Sequence, residues 1–234
     1  MKLSILVPVY NEEKTLQEIL EKVIKLKING VEKEIIVIND ASTDATSSIV
    51  KKIKGIKVVV HKNNQGKGAA VRTGIENSRG EYILIQDADL EYDPKQIFSL
   101  VKPILEKKAN IVYGTRLKRM PHVKSEERTF QFLLHYFGNR LLSFITSILY
   151  GQWITDMETC YKLFPRNALK GIKLNARGFD FEPEITAKLL KKGYKILEIP
   201  ITTNPRGYDE GKKLNTYADG MKALWTLLKY RFAN

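Results

Sequence analysis

The chain has 234 residues, 43% hydrophobic and 28% charged, enough to bury a core in one large α/β domain and outside the disordered and fibrous classes. Its formal net charge of +13 fits nucleic acid, anionic lipid or phosphorylated substrates and does not choose among them. The single cysteine, Cys160, excludes an intrachain disulfide, and His61, His122 and His135 are too scattered to suggest a zinc site.

The chain opens with an apolar strand, Leu3–Val9, running directly into polar residues. It lacks the long apolar core and cleavage site of a signal peptide, so it is read as the first element of the fold. Leu16, Ile19, Leu20, Val23 and Ile24 then fall at helical spacing. Glu34–Ile38, Lys57–Val60, Tyr82–Ile85 and Asn110–Tyr113 continue the apolar, β-branched runs, and with Leu3–Val9 they are expected to be buried on both faces. Between them lie a helix-like segment containing Val71, Gly74 and Ile75, and a helix carrying Ile97, Leu100, Val101, Ile104 and Leu105. This alternation predicts an α/β fold: a mostly parallel sheet flanked by helices, with ligands gathered at the carboxyl ends of the strands.

After Arg116 the alternation stops. A basic loop (Arg116, Lys118, Arg119, Lys124, Arg128) leads into a helix-like apolar stretch, Phe130–Tyr150. A helix near Glu184–Lys192, a strand-like Tyr194–Thr203, a polar Arg206–Lys213 loop and a last helix with Tyr217, Met221, Leu224, Trp225 and Leu228 complete the chain. No window reaches the roughly 18 uninterrupted apolar residues of a spanning helix. Without repeats, low-complexity tracts or a linker, residues 1–234 are read as one domain with a C-terminal amphipathic helical elaboration.

Three segments carry chemistry. In Gln86-Asp87-Ala88-Asp89-Leu90-Glu91, extended geometry would point Asp87, Asp89 and Glu91 the same way, and carboxylates so placed repel one another without a cation. Mg²⁺ or Mn²⁺ suits them, the alternative being a solvated acidic strand end. Asn39-Asp40-Ala41-Ser42-Thr43-Asp44 places Asp40 to accept hydrogen bonds from a base or ribose, although Ser42 or Thr43 could instead cap the next helix, with Asp44 in its first turn. Asn63-Asn64-Gln65-Gly66-Lys67-Gly68 could draw phosphate to its amides and Lys67, or be a plain loop-to-helix turn, since it lacks the spacing of a P-loop.

In order and spacing, Val7-Pro8-Val9-Tyr10-Asn11-Glu12, Asn39–Asp44, Asn64–Gly68 and Asp87-Ala88-Asp89 together resemble the GT-A fold, family 2 inverting glycosyltransferases. Gly114-Thr115-Arg116, Gly138-Asn139 and Thr155-Asp156-Met157-Glu158-Thr159-Cys160-Tyr161-Lys162 extend the similarity to the dolichyl-phosphate mannose and dolichyl-phosphate glucose synthase branch. The resemblance implies that residues 1–115 bind the nucleotide-sugar, GDP-mannose or UDP-glucose, through Pro8, Tyr10, Glu12, Asp40, Lys67, Gly68, Asp87, Ala88 and Asp89. Asp89 and Glu91 would hold Mg²⁺ or Mn²⁺ on the diphosphate. Residues 116–234 would bind a polyprenyl or dolichyl phosphate, with Arg116, Arg128, Arg206, Lys212 and Lys213 as candidates for contacts to that acceptor or to the diphosphate, the alternative for each being a solvated surface charge. Asn39 and Ala41 depart from an aspartate and a glycine common in the family, and Glu91 stands where a relative can have glutamine.

The implied chemistry is displacement at the anomeric carbon with inversion, centred on Asp87, Asp89, Arg116 and Asp156. A phosphate acceptor is already anionic and needs positioning rather than a base, whereas a hydroxyl acceptor in glycan or polysaccharide synthesis would need one. Asp156 stays open between sugar binding, base catalysis and a structural bond, as do Glu158 and Glu184, while Cys160 is read as packed core. The implied setting is cytoplasmic, peripheral on the cytoplasmic face of a membrane, with a separate anchoring protein left open. A nucleic-acid partner is not expected, because no recognition signature is present and none would explain the acidic strand ends. A nucleotidyltransferase would have to release pyrophosphate.

Overall fold

The computed structural model describes residues 1–116, 130–204 and 216–233. In chain order the main elements are β1 (Lys2–Val9), α1 (Leu16–Lys25), β2 (Glu32–Asn39), α2 (Thr46–Lys52), β3 (Lys57–Val60), α3 (Lys67–Asn77) and β4 (Tyr82–Ile85). There follow α4 (Ile97–Leu105), β5 (Ile111–Thr115), α5 (Phe130–Tyr150), β6 (Lys162–Pro165), α6 (Phe181–Lys191), β7 (Ile196–Pro200) and α7 (Thr216–Phe232). Among the described residues the strands form one seven-stranded sheet in the order β3-β2-β1-β4-β6-β5-β7. Every pairing is parallel except those of β6, which runs antiparallel between β4 and β5.

Strand β1 is the hinge of this topology. It pairs with β2 on one side (Val9↔Asn39) and with β4 on the other (Leu6↔Ile85), so the winding reverses between β1 and β4. The crevice at the carboxyl ends of those strands is where an open α/β sheet binds ligand. The sheet is seated by the predicted apolar faces: Leu16, Ile19, Leu20 and Val23 of α1 and Ile97, Leu100, Val101 and Ile104 of α4 are buried.

Three features differ from expectation. Strand β3 is not buried on both faces; among the described residues it is an edge paired only with β2, and its Val60 is 60% exposed. Helix α2 carries too few apolar residues for a stripe, burying only Thr46 and Val50. Strand β6 begins with a lysine, which hides it in the sequence. Lys162 is nonetheless fully buried, its Nζ donating to the Met157 carbonyl at 2.7 Å and lying 4.0 Å from the Tyr113 ring centroid.

Helix α5 is amphipathic in the inverse sense. Asn139, Ser143, Thr146 and Ser147 are buried, whereas Phe137, Leu141, Phe144 and Ile148 face outward. The inward hydroxyls cost little because each donates to a carbonyl one turn back: Ser143 to Asn139, Thr146 to Leu142 and Ser147 to Ser143, at 2.7–2.8 Å. Helix α7 packs beside α5, with the Tyr150 hydroxyl donating to the Leu227 carbonyl at 2.7 Å, and exposes Tyr217, Met221, Trp225 and Phe232. No helix among the described residues is long and apolar enough to cross a membrane.

Candidate active site

The turns after β1 and β2 are built as one unit. Asn11 N donates to Ser42 Oγ at 3.0 Å, Thr43 N to Asn11 Oδ1 at 2.8 Å, and Glu12 N to Thr46 Oγ1 at 3.0 Å. Asn39, buried beneath them, accepts from Ser42 N at 3.0 Å and donates to Ser47 Oγ at 2.8 Å. Ser42 and Thr43 therefore tie the turns together, and Asp44 serves the start of α2, its Oδ1 accepting from Thr46 N at 3.0 Å. Ala41 sits at φ 60°, in the left-handed region that costs a residue with a Cβ roughly 1–2 kcal/mol. Glycine at that position would relieve the cost while adding freedom to the unfolded chain. Ala41→Gly should therefore stabilise the protein by about 0.5–1 kcal/mol in denaturant unfolding, and destabilisation would contradict this account of the loop.

Asp40 joins that unit to the third segment. Its carboxylate accepts from Gln65 N at 2.9 Å and Gly66 N at 2.7 Å, with His61 Nδ1 2.6 Å from Oδ1. His61 is placed in turn by Thr73, whose Oγ1 lies 2.9 Å from Nε2. Gly66 has φ 91°, and a Cβ there would lie 2.4 Å from the Arg177 carbonyl oxygen; at Gly68 it would lie 2.8 Å from that of Ala176. Gly68 thus makes room for the 176–178 backbone and stands outside the cavity lining, whereas Lys67 turns inward. Lys67 Nζ bridges Asp87 at 3.0 Å and Glu182 at 3.1 Å. Burial works against its charge, but Asp87, Cys160 and Glu182 more than offset this and keep it protonated.

The acidic segment leaves strand geometry at once. Strand β4 ends at Ile85, and buried Gln86 pins the turn by donating to the carbonyls of Asp87 (3.0 Å) and Tyr92 (3.2 Å) while accepting from the Tyr161 hydroxyl at 2.7 Å. Leu90 takes φ 63°. The extended, period-two presentation therefore does not persist: Asp87 turns to Lys67, and Asp89 Oδ1 accepts from Glu91 N at 3.2 Å.

Across the crevice, Arg116 is locked by Asp156. Asp156 is fully buried and accepts from Arg116 N at 2.9 Å, Nε at 2.8 Å and Nη2 at 2.8 Å. Glu198 of β7 fixes the turn behind it, accepting from Thr155 N and Asp156 N at 2.9–3.0 Å. Burial alone would raise the Asp156 pKa, but Arg116 outweighs it and holds the carboxyl below its usual range. Asp156 stands outside the cavity lining, behind Arg116, so its place is that of a support. Glu184 is likewise engaged in structure, accepting from Asn175 N and Ala176 N at 2.7–3.0 Å and pairing with Lys188.

These elements enclose a cavity of about 460 Å³, within the range of small-molecule sites. Pro8, Tyr10, Glu12, Asp40 and Lys67 line it on one side, and Asp87, Ala88, Asp89, Glu91 and Arg116 at the strand ends. Gly138, Asn139 and Leu142 of α5 and Asp219 and Gly220 of α7 close it from the helical side.

The family model described as Glycosyl transferase family 2 matches residues 4–172, well over half of the chain. The chain belongs to that family. This glycosyltransferase is 33% identical to an uncharacterized protein of Methanocaldococcus jannaschii, over 97% of this chain and 91% of the relative. It is 27% identical to the UDP-N-acetylglucosamine--dolichyl-phosphate N-acetylglucosaminyltransferase of Methanococcus voltae, over 96% and 94% of the two chains. It is 28% identical to the low-salt glycan biosynthesis hexosyltransferase Agl6 of Haloferax volcanii, over 99% of this chain but 53% of the relative, so it spans about half of that protein. Glucosyl-3-phosphoglycerate synthase of Mycobacterium tuberculosis, crystallised with Mn²⁺, uridine diphosphate and phosphoglyceric acid, superposes with a TM-score of 0.75 at 19% identity, over 100% of this chain and 79% of that one. That likeness establishes the GT-A fold.

Most of the candidate residues of the glycosyltransferase meet in this cavity; Gly68 and Asp156 support it from outside, and Arg128, Arg206, Lys212 and Lys213 lie outside the described residues. His61, Gln86 and Glu182 carry no spacing signal and emerge only from the fold. Among the described residues no group of three or more His, Cys, Asp or Glu side chains is arranged to hold a metal ion. Asp89 and Glu91, both in the cavity lining, could supply part of a shell for Mg²⁺ or Mn²⁺, an ion that takes few carboxylates and fills its other positions with water and substrate phosphate. Cys160 is buried in the lining, and burial pushes its thiol well up, unlike a nucleophile.

Glu158 also faces the cavity, and its pKa is pushed up to about 8 by burial and then by Glu182 of α6 and Asp156, against Lys162 of β6 and Arg116 after β5. Because the folded value lies above the usual glutamate value of 4.5, the native state holds a proton that the unfolded chain releases. The stability so contributed is present below that value and lost as pH rises to about 8. Lys162, pulled down to about 8 mainly by burial, acts at higher pH with the opposite slope. Glu158→Gln should therefore raise the thermal unfolding midpoint more at pH 8 than at pH 5; an equal shift at both would contradict the assignment.

Proposed function

We propose that this enzyme transfers a hexose from GDP-mannose or UDP-glucose to a polyprenyl or dolichyl phosphate, using Mg²⁺ or Mn²⁺ and working peripherally on the cytoplasmic face of a membrane. Residues 1–115 supply the donor half and residues 116–234 the acceptor half. The observation that carries the acceptor is the double-sided nature of α5 and α7. Their inner faces line the cavity through Gly138, Asn139, Leu142, Asp219 and Gly220, while their outer faces expose apolar and aromatic residues. Trp153, 67% exposed and packed edge-on to Phe144, continues the α5 stripe.

Such a face, with Trp and Tyr among aliphatic side chains, suits the interfacial zone of a bilayer. Lys118, Arg119, Lys124 and Arg128 precede α5, and Arg206, Lys212 and Lys213 precede α7, adding attraction for anionic lipid. An acceptor whose chain lies in the bilayer and whose phosphate enters the cavity would satisfy both faces. The dolichyl phosphate named for the Methanococcus voltae relative supports the same acceptor class.

On the donor side, Pro8, Tyr10, Glu12 and Asp40 receive the nucleoside, and Lys67 with Asp87 adjoins the diphosphate and sugar. A divalent ion held by Asp89 and Glu91 would neutralise charge on the departing nucleoside diphosphate. Arg116, held in direction by Asp156, positions the acceptor phosphate, which is anionic near neutral pH and attacks the anomeric carbon without a general base as the nucleoside diphosphate departs.

The test is selective damage to the exposed face. Trp153→Ser combined with Trp225→Ser should raise KM for a long-chain polyprenyl phosphate in vesicles about tenfold, the equivalent of about 1.4 kcal/mol. KM for a short, water-soluble isoprenyl phosphate should stay unchanged. An equal effect on both acceptors, or on neither, would remove the membrane-face argument.

A further inference from the structure

The deep wall of the cavity carries acidic side chains that the transfer chemistry above does not use. Glu182 is 3% exposed and gives one oxygen, Oε1, to Lys67 at 3.1 Å. Its other oxygen, Oε2, is buried and has no hydrogen-bond partner among the described residues. The same holds for Oε1 of Glu158, and both residues line the cavity. Leaving a buried acceptor unmade costs about 1–3 kcal/mol, and more when it is charged. Unpartnered acceptors on two residues that both line a ligand cavity suit hydrogen-bond donors from a ligand.

The parts of a nucleotide-sugar differ sharply in what they offer. A diphosphate has no donors and is repelled by carboxylates, so it does not belong against this wall. A base and ribose carry few donors and fall to the loops of Tyr10, Glu12 and Asp40. The hexose presents a ring of hydroxyls, each able to donate one bond to a carboxyl oxygen. Lys67 ties Glu182 to Asp87, and so joins this wall to the strand-end turn that also carries Asp89.

We propose that Glu158 and Glu182, although they belong to residues 116–234, reach across to the donor side, where Glu182 meets Lys67, and form the subsite that reads the hydroxyls of the donor sugar and makes the enzyme select a neutral hexose over a uronic acid. The inference rests on the nucleotide-sugar reading above. Its physical basis is twofold. A site built to hydrogen-bond hydroxyls discriminates strongly against a ligand that leaves its groups unpaired. A sugar carboxylate brought against the buried Glu182 carboxylate meets like charge in a poorly screened place, and it offers Glu158 no hydroxyl in exchange.

The experiment is titration calorimetry with Mg²⁺ on the wild type, Glu158→Leu and Glu182→Gln, using UDP, UDP-glucose and UDP-glucuronate and the matching GDP, GDP-mannose and GDP-mannuronate. The wild type should bind its neutral nucleotide-hexose at least tenfold more tightly than the uronate. Glu158→Leu should keep the affinity for the free nucleoside diphosphate within twofold while weakening the nucleotide-hexose at least tenfold. Its thermal unfolding midpoint should rise, because the free protein loses an unpartnered buried group; a merely structural glutamate would lower it. Glu182→Gln, which keeps the shape of the side chain, provides the second reading should Glu158→Leu fail to fold, and should weaken the nucleotide-hexose more than the diphosphate. Equal loss of diphosphate and nucleotide-hexose, loss of neither, or equal wild-type affinity for the uronate overturns the subsite while leaving the glycosyltransferase reading intact. Failure of the wild type to bind either diphosphate overturns the nucleotide-sugar reading, and the subsite with it.

Discussion

Asp89→Asn is expected to lower turnover by about 100-fold or more while leaving the unfolding transition in place. Asp89 and Glu91 line the cavity beside Asp87, which pairs with Lys67. Converting one to an amide halves the negative charge available to a divalent ion, with little change in shape. The turn has anchors that the substitution leaves in place: Gln86 holds the Asp87 and Tyr92 carbonyls and accepts from the Tyr161 hydroxyl, and asparagine keeps the Oδ1 that accepts from Glu91 N. The check is steady-state kinetics over a Mg²⁺ and Mn²⁺ series alongside thermal unfolding. Wild-type turnover in the variant would sink the metal assignment, whereas a lost unfolding transition would show that Asp89 is structural.

Asp156→Ala is expected to act mainly on stability, costing about 3–5 kcal/mol. The substitution removes the acceptor for Arg116 N, Nε and Nη2 together and leaves a guanidinium largely enclosed and unpaired. Replacing Arg116 as well, as Asp156→Ala with Arg116→Met, should recover part of the loss, because the uncompensated charge goes with it. The single variant should lose transfer activity even where it remains folded, since Arg116 no longer has a fixed direction. The folded Asp156 pKa is depressed, so its contribution is present above the usual aspartate value of 3.8 and disappears as pH falls through the folded value. Urea unfolding at neutral and acidic pH checks both statements; a cost below about 1 kcal/mol would mean that the pair is no more than a surface contact.

The parts of this molecule legible in its sequence are those whose physics is local. Strands β1 and β4 are apolar runs bounded by polar residues, and the faces of α1 and α4 follow from helical spacing. The motifs that gather at the cavity stand at strand ends, where the alternation of elements already directs ligands. Strand β3 was legible in extent but not in exposure, because its composition does not reveal that it occupies an edge. Lys162 concealed β6, since a lysine is buried only when its neighbours supply a carbonyl and a ring face, and those neighbours are set by the sheet. Gln86 left the extended geometry because of partners at Tyr92 and Tyr161, which no period-two rule contains. The same limit applies to Arg116 with Asp156 and to Lys67 with Glu182. These pairs join segments far apart in the chain, and only the fold makes them neighbours.

The most direct measurement of the central claim is sugar transfer itself. Purified protein would be incubated with polyprenyl phosphate, Mg²⁺ or Mn²⁺, and labelled GDP-mannose or UDP-glucose, and the label followed into the lipid phase with and without chelator. The account predicts transfer from one of these donors that chelator abolishes. Intact donor binding with no label in the lipid phase from either, or transfer only to a soluble hydroxyl acceptor, would contradict it.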